Sequence, residues 1–96
     1  MIELFNNIDF EYEESDSSLV IFNDCIETLK TMKEQSVDLI FADPPYNLGK
    51  DFGNGSDSWD DKTEYLKWCY AWIDECFRVL KDNGTFYMMN STQNIP

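Results

Sequence analysis

The spacing of apolar positions changes along the chain, and each change marks a new element. Ser18 to Phe22 reads S-L-V-I-F, a short β-branched and aromatic run of the kind that forms a buried strand. A helix is expected directly after it. Asp24 and Glu27 have N-cap and third-position spacing, and Ile26, Leu29 and Met32 recur on one helical face. After a turn at Glu34-Gln35-Ser36, the nearly continuous apolar run Val37 to Ala42, V-D-L-I-F-A, suits a parallel strand covered on both faces. It must end at Asp43-Pro44-Pro45-Tyr46, because proline has no N–H to give to a ladder, and side chains beyond that end face open space.

Asn47 to Asp60 is rich in Gly, Ser, Asp and Asn and reads as a long loop. Helical spacing returns at Asp61, with a second Asp-x-x-Glu box at Asp61 and Glu64. A wide apolar stripe follows through Tyr65, Leu66, Trp68, Cys69, Trp72, Ile73, Cys76, Phe77 and Leu80. Asn83-Gly84 supplies the exit turn, and Thr85 to Met89 reads as a last strand. The order strand, helix, strand, loop, helix, strand predicts an α/β fold with an open, mainly parallel sheet. Residues 1–17 carry Glu11, Glu13, Glu14 and Asp16 with little apolar periodicity. They are expected to be a loosely held acidic arm with a short strand around Leu4 to Phe10, ahead of a folded part at residues 18–96.

Composition narrows the class. A chain of 96 residues with 43% hydrophobic content fits one small domain with a core. No apolar run approaches the roughly 20 residues of a membrane-spanning helix, and Met1 to Phe10 lack the pattern of a signal peptide, so a cytoplasmic location is expected. Cys25, Cys69 and Cys76 form no C-x-x-C pair and histidine is absent, so no metal site is expected and the cysteines read as reduced, mostly buried thiols. Asp57, Asp60 and Asp61 fit no EF-hand spacing. The net charge of −12 argues against this stretch gripping DNA by itself, since phosphate affinity comes from clustered Lys and Arg.

In open α/β sheets ligands bind beyond the carboxyl ends of strands, and Asp43-Pro44-Pro45-Tyr46 occupies such a position. The run Asp38 to Asn47, D-L-I-F-A-D-P-P-Y-N, resembles the D-P-P-Y signature of amino-group DNA methyltransferases. Four further features match the adenine-specific, restriction-modification type: Asn23-Asp24-Cys25 after the first strand, the Gly-rich loop, Ser58-Trp59-Asp60 with Tyr65-Leu66-Lys67-Trp68, and Asn83-Gly84-Thr85 before the last strand. The resemblance covers residues 18–96. It implies part of a doubly wound, Rossmann-like methyltransferase fold that transfers a methyl group from S-adenosylmethionine to the exocyclic amine of adenine in DNA. It also implies that Asp43, Pro44 and Tyr46 are catalytic, that Pro45, Asn47 and Leu48 line the target-base pocket, and that Asp24 contacts the adenine end of the cofactor. Asp24 is equally well read as the cap of its helix, and the two roles are compatible.

The chemistry of the amine supports those roles. Its lone pair is delocalised into the base, so catalysis requires acceptors that hold its hydrogens and free the lone pair for attack. The Asp43 carboxylate and the Pro44 carbonyl are such acceptors. Tyr46 offers a flat face for a base swung out of the helix, while the prolines stiffen the frame. The bland alternative is that Pro-Pro ends a strand, Asp43 solvates it and Tyr46 caps the core. In this family Ser in place of Asp accompanies cytosine amines, so Asp43 tilts the choice to adenine.

Phe52-Gly53-Asn54-Gly55 follows D-P-P-Y instead of joining a strand to a helix, and so does not read as the family's F-x-G-x-G cofactor loop. With that loop and any basic region absent from these 96 residues, the chain is expected to be an N-terminal fragment. It should depend on a missing C-terminal half for DNA recognition and be inactive alone. The rival readings are a cytosine-amine DNA methyltransferase, an RNA or protein-amide methyltransferase of the same fold, and a non-catalytic acidic interaction module.

Overall fold

The computed structural model describes residues 1–44 and 62–89. A turn of 3-10 helix at Ile2–Leu4 leads to β1 (Glu11–Glu14), β2 (Leu19–Phe22), α1 (Cys25–Thr31), β3 (Val37–Ala42), α2 (Lys62–Val79) and β4 (Leu80–Met88). This is a mixed α/β arrangement with a parallel strand pair. Among the described residues no helix is long and apolar enough to cross a membrane.

β3 and β4 run parallel, and α2 precedes β4 in the connection between them. α2 forms because Tyr65, Cys69, Trp72, Cys76 and Val79 recur at helical spacing and bury one stripe, while Glu64 sits in its first turn and Arg78 in its last, each favourable to the helix dipole. Ile40, Ala42, Phe86 and Met88, every second residue of β3 and β4, pack against that stripe from the sheet side, and Ile26 and Leu29 pack from α1. β3 has the predicted limits, but among the described residues the cover lies on one of its faces. Leu39 and Phe41 on the other face are exposed.

Three expectations are corrected. β2 does not join β3. It pairs antiparallel with β1 in a separate two-stranded sheet, with Glu11 opposite Phe22 and Glu14 opposite Leu19, and its Val20 and Phe22 are exposed. The early strand therefore lies at Glu11–Glu14 and not around Leu4 to Phe10. Leu4 to Asn6 instead run beside the end of α1, where Asn6 N–H donates to Thr31 O at 2.7 Å and Lys33 N–H donates to Leu4 O at 2.8 Å. Phe5 is buried there. Finally, β4 starts at Leu80, directly after α2, because buried Val79 and Leu80 anchor the chain at the start of β3. Leu80 pairs with Val37 and Thr85 with Leu39, so Asn83-Gly84 falls in an irregular stretch of the ladder and does not separate helix from strand.

Candidate active site

Asp43 leaves the carboxyl end of β3, and the last strand residue is fixed by Met89 N–H, which donates to Ala42 O at 3.0 Å. Asp43 is exposed and Pro44 is half-buried. Both line a cavity of about 500 Å³, within the range of small-molecule sites. Across from them the wall is built by Ile21 and Asn23 at the end of β2 and by Cys25, Thr28 and Leu29 of α1; Trp68, Trp72 and Cys76 of α2 complete it. The wall is predominantly apolar, carries the Asp43 carboxylate and includes no Lys or Arg among the described residues.

The β2–α1 turn is held by a local network. Asp24 caps α1: its Oδ2 accepts from Glu27 N–H at 3.1 Å, and its extended backbone admits the chain to the helix. Thr28 Oγ1 donates to Asp24 O at 2.8 Å and accepts from Asn23 Nδ2 at 3.0 Å. Asn23 and Cys25 border the cavity on either side of Asp24, whose own side chain is not part of the wall. The two helices are locked by Arg78, which donates from a terminal guanidinium nitrogen to Leu29 O at 2.7 Å and from Nε to Glu75 Oε2 at 2.8 Å.

Trp72 is buried, and its indole N–H is the buried side-chain donor without a hydrogen-bond partner among the described residues. It sits in an aromatic row, 6.1 Å from Trp68 and 6.4 Å from Phe86 between ring centroids. The tryptophans thus form the core, as their spacing implies, and also wall the cavity. All three cysteines are free thiols; Cys69 and Cys76 are buried, whereas Cys25, expected to be buried, is exposed. Burial pushes the Cys76 thiol up to about 11, helped by Cys25 and Glu75 nearby. Partial desolvation also raises Cys25, with the Asp24 charge adding to it. Both cavity thiols are therefore protonated at neutral pH and are poor nucleophiles.

Of the residues singled out by sequence, the structure brings Asp43 and Pro44 to the cavity, whereas Asp24 caps α1 and is not among the lining residues, although its neighbours Asn23 and Cys25 are. Pro45, Tyr46, Asn47 and Leu48 lie outside the described residues, as do the loop through Asp60, the cap at Asp61 and residues 90–96. Thr28 and Asn23 were not singled out as a bonded pair. The signal was present: a Thr four residues after an N-cap can bond back to the cap carbonyl. Among the described residues no three or more His, Cys, Asp or Glu side chains gather as a metal site.

β3 thus ends in Asp-Pro on a cavity that Asn23 and Cys25, from either side of the Asp24 cap, also line. The family model described as DNA methylase matches residues 37–96. The chain belongs to that DNA methylase family. It is 44% identical over 82 residues to the DNA adenine methyltransferase YhdJ of Escherichia coli, covering 85% of this chain and 28% of that protein. It is 46% identical over 67 residues to the type II methyltransferase M.BamHI of Bacillus amyloliquefaciens, covering 70% of this chain and 16% of the relative. With the type II methyltransferase M.HpaI of Haemophilus parainfluenzae it shares 46% identity over 69 residues, covering 72% and 22%. The chain thus spans less than a third of the length of these curated relatives.

Proposed function

We propose that these residues are the target-base part of an S-adenosylmethionine-dependent DNA methyltransferase acting on the exocyclic amine of adenine. The observation that carries this reading is the placement of Asp43 and Pro44 together at the carboxyl end of a parallel strand, on the wall of a cavity of ligand size. On this reading residues 18–96 belong to a doubly wound, Rossmann-like catalytic domain with residues 1–17 as an acidic arm, and the protein works in the cytoplasm.

The cavity fits the cofactor in size and in charge. Among the described residues the wall includes Asp43 and no Lys or Arg, which favours a positively charged sulfonium. Asn23 and Asp24 would hold the adenine end, and Asp43 would face the methionine end. When bound, the cofactor supplies an electrophilic methyl group. The Asp43 carboxylate and the Pro44 carbonyl accept the two hydrogens of the target amine and turn its lone pair outward. Tyr46 stacks on the extruded base, with Pro45, Asn47 and Leu48 around it. With the cavity thiols protonated, the chain's own groups favour direct transfer to the amine over a covalent enzyme–base adduct. DNA recognition then falls to polypeptide outside these 96 residues, because the net charge is −12.

The experiment is transfer of labelled methyl groups to mixed-sequence DNA by an enzyme containing these residues, followed by digestion to nucleosides. Label in an adenine whose exocyclic amine is methylated supports the proposal. Label confined to cytosine, to RNA or to protein amides contradicts it.

A further inference from the structure

α1 spans only seven residues, Cys25–Thr31, too few to keep a helical shape or a fixed position without tertiary anchors. It nevertheless builds one wall of the cavity, through Cys25, Thr28 and Leu29. The other walls include Trp68, Trp72 and Cys76 of α2 and the end of β3 with Asp43. The width of the cavity is therefore set by the spacing of α1 from α2 and β3.

One residue meets all three elements. The Arg78 guanidinium donates to Leu29 O, in the last turn of α1, at 2.7 Å, and its Nε donates to Glu75 Oε2 at 2.8 Å, one turn back on α2. The Arg78 carbonyl accepts from Gln35 N–H at 3.0 Å, in the turn that leads into β3. Glu75 holds the fork still, and the fork holds the end of α1, where a cation also suits the helix dipole. Lysine carries a single nitrogen and has no equivalent of this two-point grip. Arg78 itself is not among the lining residues, so it acts on the cavity through α1. We infer that Arg78 is a positioning residue for the cofactor: its side chain fixes α1 at the distance from α2 that S-adenosylmethionine requires, while its carbonyl holds β3 and Asp43 whatever the side chain. The inference rests on the methyl-transfer reading.

The test compares a methyltransferase containing these residues with its Arg78→Lys and Arg78→Met variants. Gly84→Ala serves as a stability control, because its clash is with Leu80 and Asp38, away from the cavity wall. Both replacements at 78 are good helix formers with long stems, and circular dichroism checks that each variant is folded. Calorimetry and steady-state kinetics should show the Kd and KM for S-adenosylmethionine raised roughly tenfold or more in both Arg78 variants, the worth of a charge-assisted hydrogen bond. Their kcat and their KM for DNA should stay near wild type, because Asp43 keeps its place. Gly84→Ala should bind the cofactor as wild type does. A second readout needs no cofactor: iodoacetamide should reach Cys76, in the buried cluster against which Ile26 and Leu29 of α1 pack, faster in both Arg78 variants than in Gly84→Ala, as mass spectrometry of the ligand-free enzyme would show. Wild-type cofactor affinity in the Arg78 variants would overturn the inference alone. Full affinity in Arg78→Lys only, or an equal loss in Gly84→Ala, would overturn it too, by reducing Arg78 to a charge or to a stabilising contact. A wild-type enzyme that does not bind S-adenosylmethionine would overturn the methyl-transfer reading together with it.

Discussion

Replacing Gly84 with Ala puts a methyl group where the sheet has no room for one. A Cβ there would lie 2.6 Å from Leu80 Cδ1, 2.8 Å from Leu80 Cγ and 3.0 Å from the Asp38 carbonyl oxygen. Ordinary contact begins near 3.4 Å, so the Leu80 side chain must retreat by 0.8 Å (3.4 minus 2.6) or the two strands must part. Leu80 has little freedom to do so: it is buried at the α2–β4 junction and paired with Val37. Overpacking of this kind costs about 1–3 kcal/mol, and the stiffer unfolded chain of Ala returns about 0.4–1 kcal/mol. At the middle of both ranges, about 2 against about 0.7, the expected net loss is about 1.3 kcal/mol. Urea unfolding followed by circular dichroism should show a lower midpoint with an unchanged slope. A Leu80→Ala background, which removes the colliding group, should shrink the Gly84→Ala increment. Wild-type stability or better in Gly84→Ala, with Leu80 intact, would refute the argument.

Trp72→Ala should destabilise the chain by about 3–5 kcal/mol through the cavity it opens. Trp72→Phe should cost far less, because the lost volume is offset by removing a buried N–H that has no partner; urea midpoints of the two variants separate the effects. The Cys76 thiol, raised from 9.0 to about 11, keeps its proton in the folded chain over a range where the unfolded chain loses it. Its contribution to stability therefore falls as pH rises from about 9 to about 11. Midpoints measured across that window should drop more steeply for the wild type than for Cys76→Ala, and iodoacetamide should label exposed Cys25 well before Cys76 in the folded protein.

β3 was legible in the sequence down to its end residues, because a run of apolar residues closed by Pro-Pro leaves little choice. The Asp24 cap and most of the buried stripe of α2 were equally legible, since both are local in sequence; Phe77, read as part of the stripe, is 58% exposed, and Leu80 belongs to β4. What escaped is non-local or depends on context. The Glu11–Glu14 strand has every residue exposed, so no apolar alternation marks it; it exists because β2 offers a partner across a turn in which Ser15 N–H donates to Ser18 O at 2.8 Å. The separation of the strands into two sheets depends on which edges meet, which periodicity does not encode. Gln35 adopts φ 49°, a left-handed conformation normally left to Gly or Asn, in the turn where its N–H donates to Arg78 O at 3.0 Å. At the site, D-P-P-Y located Asp43 and Pro44, while the walls from Thr28, Leu29 and Cys76 emerge only when α1 packs on α2. The contribution of the Arg78 side chain to that packing is long-range and left no local mark.

The central claim is that the Asp43 carboxylate at the end of β3 accepts a hydrogen of the target amine as the methyl group moves. Single-turnover methyl transfer by Asp43→Ala, in an enzyme containing these residues, tests it most directly when paired with cofactor binding measured by calorimetry. The account predicts a rate lowered by roughly 10²–10³, the usual cost of one preorganised transition-state acceptor, with cofactor affinity little changed. An unchanged rate would contradict it.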